Sequence, residues 1–148
     1  MTERAGQRLA EAVRDGMYAR DRAAQALGIT VEAVGPGFAS CRMTVRQDMV
    51  NGHDTCHGGF TFTLADAAFA YACNACNRAT VALGAEISFL APARAGDILT
   101  ATAEERSRAG RTGVYDVEVT RADGTRVALF RGTSYETRGE VVPDLAGE

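Results

Sequence analysis

One carboxylate stands apart in this chain of 148 residues. Between Gly58 and Asn77, 13 of 20 positions are Phe, Leu, Ala, Tyr or Cys, and Asp66 is the only charged residue among them. Carboxylates are rarely buried without a partner, because an apolar environment penalises the charged form. Burial of Asp66 would therefore raise its pKa, as expected of a functional carboxylate. The plainer reading is a helix Asp hydrogen-bonded to Thr63 or Tyr71. Two other groupings carry weaker signals. His53, Cys56 and His57 fall within five positions, but no fourth ligand lies near, which is a poor zinc pattern. Cys73-Asn74-Ala75-Cys76 has the spacing of a redox pair, yet such pairs sit at a helix N-terminus, where thiolate is stabilised. These two sit at the C-terminal end of their segment, so they read as core packing. With Cys41 and Cys56 they are expected to be reduced thiols.

The stretch holding Asp66 reads as a helix, because Ala favours helix and the apolar residues fall on all of its sides. Strand-like runs surround it. Ile29–Val34 and Phe38–Val45 flank the turn Gly35-Pro36-Gly37, and Gln47 to Cys56 is a polar loop in which Asn51 could make an Asx-turn. Thr80–Leu90, Asp97–Arg106, Thr112–Thr120 and Arg126–Tyr135 follow, the last two joined through Asp123-Gly124, a hairpin signal. In Thr112–Thr120, Val114, Val117 and Val119 alternate with Asp116, Glu118 and Thr120, the pattern of a half-buried strand. Thr2 to Leu27 reads as helical, with Gly16 breaking or kinking it into two. Residues 139–148 are polar and contain Gly and Pro, and are expected to form a flexible tail. The length suits a single domain spanning residues 1–148, with residues 1–27 as an N-terminal helical segment. The order is α+β: a curved antiparallel sheet of five to six strands wrapped around one long central helix. One chain of this size cannot cover both faces of such a sheet, so a homo-oligomer is expected.

Asn51-Gly52-His53, Cys56-His57-Gly58-Gly59 and Leu64-Ala65-Asp66 together resemble the active-site segment of the hotdog-fold acyl-CoA thioesterases, and within them the phenylacetate-pathway thioesterases. Ala70-Tyr71-Ala72-Cys73-Asn74, Phe89-Leu90-Ala91-Pro92, Ala95-Gly96-Asp97, Thr112-Gly113-Val114-Tyr115-Asp116 and Leu129-Phe130-Arg131-Gly132 extend the resemblance across residues 18 to 136. It implies a hotdog fold, thioester hydrolysis on coenzyme A, and a homotetramer built as a dimer of dimers. It would make Asp66 the nucleophile or general base, Asn51 a positioner of water or carbonyl, and the Gly58–Gly59 backbone the oxyanion donor. By the same resemblance, Phe89 lines the pantetheine or acyl tunnel and His57 contacts ligand or caps the helix. The turn Arg108-Ala109-Gly110-Arg111-Thr112 offers two guanidiniums and a Gly for the coenzyme phosphates, Arg108, Gly110, Arg111 and Thr112 being its binding residues. The resemblance favours aryl-acetyl groups such as phenylacetyl or its ring-hydroxylated derivatives.

Thioester hydrolysis needs an activated water or a nucleophile, and donors for the oxyanion formed at the carbonyl. N–H groups at a helix N-terminus suit the second task, and glycine lets the carbonyl come close. Thiolate leaves readily, so neither a strong acid, a metal nor a cofactor is required; coenzyme A is part of the substrate. From Gly58 to Asp66 is a helical rise of about 12 Å, whereas one carbonyl must lie within about 3 Å of both donor and carboxylate. Donor and carboxylate must therefore come from two chains with antiparallel helices, and the monomer should be inactive.

The remaining composition excludes more than it identifies. Net charge is −3 and the basic residues are scattered, which argues against nucleic acid. No apolar run is long enough for a membrane helix and no secretory signal is visible, so a cytoplasmic protein is expected. Two rival functions stand beside the thioesterase. A hotdog hydratase or dehydratase would place a His at the acyl Cα, but both histidines precede the helix. A non-catalytic acyl-CoA binding module would leave Asp66 a structural role.

Overall fold

The computed structural model describes residues 1–145. Two helices open the chain, α1 (Glu3–Tyr18) and α2 (Arg22–Ala26), followed by strands β1 (Thr30–Gly35) and β2 (Phe38–Thr44). Helix α3 (Gly58–Cys73) comes next, then β3 (Arg78–Phe89), β4 (Ile98–Ala109), β5 (Thr112–Arg121) and β6 (Arg126–Glu140). The six strands form one antiparallel sheet in the order β1-β2-β4-β5-β6-β3, and α3 packs against all six. This is the hotdog architecture that the motif resemblance implies.

Small side chains let the sheet close on the helix. Ala39, Cys41 and Met43 of β2 and Leu99, Ala101 and Ala103 of β4 point inward and are fully buried. Phe69 lies against Tyr115 and Phe130, edge-on or tilted, and directly over Gly132. A Cβ on Gly132 would stand 2.8 Å from that ring, so only glycine allows the helix so near β6. Burying a Phe side chain contributes about 2–3 kcal/mol. The β5 alternation is real but differently phased: Gly113, Tyr115, Val117 and Val119 face inward, and Val114 is only half-buried.

Two expectations are corrected. Gly16 neither breaks nor kinks the first helix, which runs unbroken to Tyr18; Gly16 is there for packing, since a Cβ would lie 2.5 Å from the Val142 side chain. The break comes at Asp21, whose carboxylate accepts from the Ala24 N–H and so starts α2. Asp21 also accepts a hydrogen bond from the Tyr71 hydroxyl at 3.0 Å, which ties this corner to α3. The tail expected over residues 139–148 is anchored as far as Val142: Asn77 accepts from the Val142 N–H and donates to its carbonyl, and the Val141 N–H reaches the Asn77 carbonyl. Residues 146–148 of that expected tail lie outside the described residues. Helix α3 is buried around most of its circumference, as its sequence leads one to expect. Leu64, Ala65, Ala68, Phe69, Tyr71, Ala72 and Cys73 are buried, whereas Phe62, Thr63, Asp66, Ala67 and Ala70 form a half-open stripe.

Candidate active site

Asp66 sits midway along α3 on that half-open stripe. Both residues proposed as its partners are engaged elsewhere: the Thr63 hydroxyl donates to the Gly59 carbonyl at 2.9 Å, and Tyr71 donates to Asp21. Among the described residues nothing hydrogen-bonds to the Asp66 carboxylate, and neither oxygen is sealed from solvent. Partial burial pushes its pKa up, and the nearby negative charge of Asp21 adds to the effect. No feature of the sequence around Asp66 pointed to Asp21, which lies 45 residues earlier and comes near only because α2 folds back onto α3. The result is a carboxylate without a hydrogen-bond partner among the described residues, poised to accept a proton on a half-open face of the helix.

The N-terminus of α3 is equally unsatisfied. His57 occupies the cap position but its side chain makes no capping bond and is exposed. The Phe60 N–H turns back to the His57 carbonyl, while the Gly58 and Gly59 N–H groups find no acceptor among the described residues. These donors carry the positive end of the helix dipole. The two glycines have different reasons. A Cβ on Gly58 would stand 2.8 Å from Cζ of Phe89, so the ring lies directly on the helix start. A Cβ on Gly59 would meet nothing in the chain, and its φ is not one that demands glycine. Phe89 itself is 55% exposed, so one face of the ring packs while the rest stays open beside the donors.

Asn51 belongs to the loop that leads into this helix. Its Oδ1 accepts from the His53 N–H, the Thr55 N–H and the Thr55 hydroxyl, so the Asx-turn reading is correct for that atom. The oxygen is spent on holding the loop, and it cannot also orient a water. The Nδ2 amide makes no hydrogen bond among the described residues and is available as a donor. The loop is pinned further by the His57 N–H to the Met49 carbonyl and the Cys56 N–H to the Ala93 carbonyl.

Arg108, Gly110, Arg111 and Thr112 form the β4–β5 turn, with Gly110 at φ +60°, where glycine is favoured. This turn lies at the opposite end of α3 from Gly58. The Arg108 guanidinium is 4.0 Å from the Cys76 sulfur just past the helix, and Cys73, Arg108 and Arg111 line one shallow depression. A helix of 16 residues is about 22 Å long, so within one chain the donor end and the arginine turn are a helix apart, with Asp66 between them. Cys73, the last residue of α3, is pushed up to about 12 by burial, which suits packing rather than thiolate chemistry. Among the described residues no three His, Cys, Asp or Glu side chains come together as a metal site, and no helix is long and apolar enough to cross a membrane.

A free carboxylate with a raised pKa and a bare helix N-terminus are the two parts that acyl hydrolysis requires. Comparison with known proteins points the same way. Residues 53–128 match the family model described as the thioesterase superfamily. The acyl-coenzyme A thioesterase PaaI of Escherichia coli K12 is 50% identical, over 84% of this chain and 89% of the relative. The solved structure of the E. coli PaaI protein from the phenylacetic acid degradation operon superposes with a TM-score of 0.89 at 48% identity, covering 90% of this chain and 97% of that one. A hypothetical thioesterase of Streptococcus pneumoniae, solved with coenzyme A, gives a TM-score of 0.72 at 26% identity, covering 76% of this chain and 87% of that one.

Proposed function

We propose, from the premise that the chain belongs to the thioesterase superfamily, that it hydrolyses acyl-coenzyme A thioesters to the free acid and coenzyme A, with Asp66 as nucleophile or general base. The observation that carries the reading is the partnerless Asp66 carboxylate, half-open and raised in pKa on a helix whose other side is sealed against the sheet. The nearest chemistry is that of phenylacetate degradation, and the acyl group is an aryl-acetyl group such as phenylacetyl or a ring-hydroxylated derivative. The Gly58 and Gly59 N–H groups stabilise the oxyanion, and the Asn51 amide donates to the thioester carbonyl. Phe89 and His57 flank the acyl and pantetheine path. Arg108, Gly110, Arg111 and Thr112 hold the coenzyme phosphates. No cofactor or metal takes part, and the protein works in the cytoplasm without nucleic acid or membrane.

Three features support a site shared between two chains. Gly58 and Asp66 lie on one continuous helix, so about 12 Å of rise separates donor from carboxylate. The stripe bearing Asp66 also carries Phe62, Ala67 and Ala70, apolar groups that a second helix would cover. Strand β3 is a sheet edge with six consecutive exposed residues, Val81 to Glu86, Leu83 among them at 62% exposure. An open, apolar edge is a template for pairing with another strand. A twofold axis through β3 makes the two α3 helices antiparallel. The two helices are offset so that the donors of one chain lie beside the carboxylate of the other. Dimers pair further into a dimer of dimers through the outer sheet face, where Glu104, Asp116, Arg131 and Glu86 stand in one cross-strand row along a groove of about 630 Å³.

A panel of acyl-coenzyme A substrates assayed for free thiol, with wild type beside Asp66→Asn, tests the reaction. Turnover that survives the substitution removes Asp66 from the mechanism; no turnover on any acyl group points to a binding module. Mixed oligomers of Asp66→Ala and Asn51→Ala chains test the shared site, because half of the hybrid sites regain both groups. Hybrids as inactive as either parent would refute sharing.

A further inference from the structure

The turn assigned above to the coenzyme phosphates holds two arginines, and the structure adds a third, Arg78, and a carboxylate paired with Arg78 and Arg108. Glu136 on β6 is mostly covered, its side chain 20% exposed. One of its oxygens, Oε1, lies 3.2 Å from Nη2 of Arg108 and 3.7 Å from Nε of Arg78, which stands at the start of β3. The Glu136 backbone N–H donates to the Arg111 carbonyl at 2.7 Å, fixing the end of the same turn. The Arg111 guanidinium makes no hydrogen bond or ion pair among the described residues. Two guanidiniums, from β3 and from the β4–β5 turn, thus share one carboxylate, and Arg111 lines the same depression as Arg108 and Glu136.

That arrangement is poor value as a stabilising device. Arg78 and Arg108 are 67% and 44% exposed, and exposed ion pairs contribute little. Guanidiniums converging on one corner are instead what a phosphate dianion needs, since guanidinium forks match phosphate oxygens. Resting on the reading of this end as the coenzyme subsite, we infer that Arg78 is a third phosphate-binding residue and that Glu136 is its internal competitor. With no ligand bound, Glu136 accepts a hydrogen bond from the Arg108 guanidinium and stands in ion-pair range of Arg78. The phosphomonoester of the nucleotide end displaces it.

Two thioesters of the same acid separate this from a merely structural role: the coenzyme A ester and the pantetheine ester, which has no phosphate. Arg78→Gln should raise KM for the coenzyme ester roughly tenfold and leave kcat, and KM for the pantetheine ester, unchanged. Glu136→Gln, which keeps the shape and removes the charge, should lower KM for the coenzyme ester about threefold at low salt and leave the pantetheine ester alone. Calorimetric binding of free coenzyme A against dephospho-coenzyme A gives a readout independent of turnover, and Arg78→Gln should narrow the gap between the two. Equal changes with both esters, or none with either, would overturn the assignment of Arg78; a KM that rises or stays put in Glu136→Gln would overturn the competitor role. Absence of wild-type hydrolysis with either ester would count instead against the thioesterase reading itself.

Discussion

The two ends of α3 have been built on opposite plans. At the C-terminal end side chains tie the chain down: Asn74 donates to the carbonyls of Ala70 and Thr80 and accepts from the Thr80 N–H, and Asn77, at φ +67°, holds Val142 from both sides. At the N-terminal end the cap side chain stands aside, two glycines leave their N–H groups without an acceptor among the described residues, and an aromatic ring lies on the helix start. Both ends begin with the same difficulty, unpaired backbone groups at a helix terminus. One solves it with side chains for stability. The other leaves it unsolved, at a cost in stability, and keeps its donors for a ligand. The difference separates scaffold from site without reference to any relative.

The comparison breaks first at the carboxylate that serves the bare end. Asp66→Asn should reduce kcat by a factor of about 10³, within the range ascribed to general bases, measured by thiol release. The same change should raise the melting temperature at pH 7. The folded pKa of Asp66 lies above its unfolded value. Its contribution to stability is therefore full below the unfolded pKa and is lost as pH rises through the folded one, so at pH 7 the charged group weighs against the fold. An unchanged or lower melting temperature would contradict the raised pKa. At the bare end, Gly59→Ala adds a methyl that meets nothing in its own chain. It should leave thermal unfolding within about 0.5 kcal/mol of wild type and lower kcat/KM roughly tenfold or more. At the tied end, Asn74→Ala should do the reverse, costing about 2–3 kcal/mol in denaturant unfolding while kcat per folded chain is kept. The smallest effect belongs to pH: the acid limb of kcat/KM should fall above the usual carboxylate range, because the base must be deprotonated and its pKa is raised. Asn51→Asp keeps the loop's acceptor and replaces the free donor with a second oxygen, so activity should fall with little change in melting.

Much of this was legible beforehand, and the failures share a cause. The six strands and the Ala-rich helix follow from local pattern, and each observed strand overlaps its expected run. Asp66 was readable as the one charge in an apolar stretch, whereas Asn51 and the paired glycines stood out only through the motif resemblance. Gly16 misled because a glycine inside a helix signals a break locally, whereas here it makes room for Val142, 126 residues away. The tail misled for the same reason, its anchor being Asn77. Thr63 and Tyr71 lay at suitable spacing for Asp66, but their hydroxyls turn to Gly59 and Asp21. The double use of Asn51, acceptor to its loop and donor outward, needed coordinates. Sequence reports what a residue prefers nearby; it does not report which distant group has already claimed it.

The open edge of β3 carries a kinetic consequence. If each active site is assembled from two chains, specific activity is not a constant of the protein. It follows the fraction of chains paired, so at concentrations well below the dimer dissociation constant the rate becomes second order in chain and dilution alone silences the enzyme. A saturating substrate that bridges both halves would then pull chains together, and progress curves begun from dilute protein would accelerate before they settle. Leu83, exposed on that edge, is thus a residue far from any chemistry whose replacement by a charge would be read in the assay as a lost catalyst.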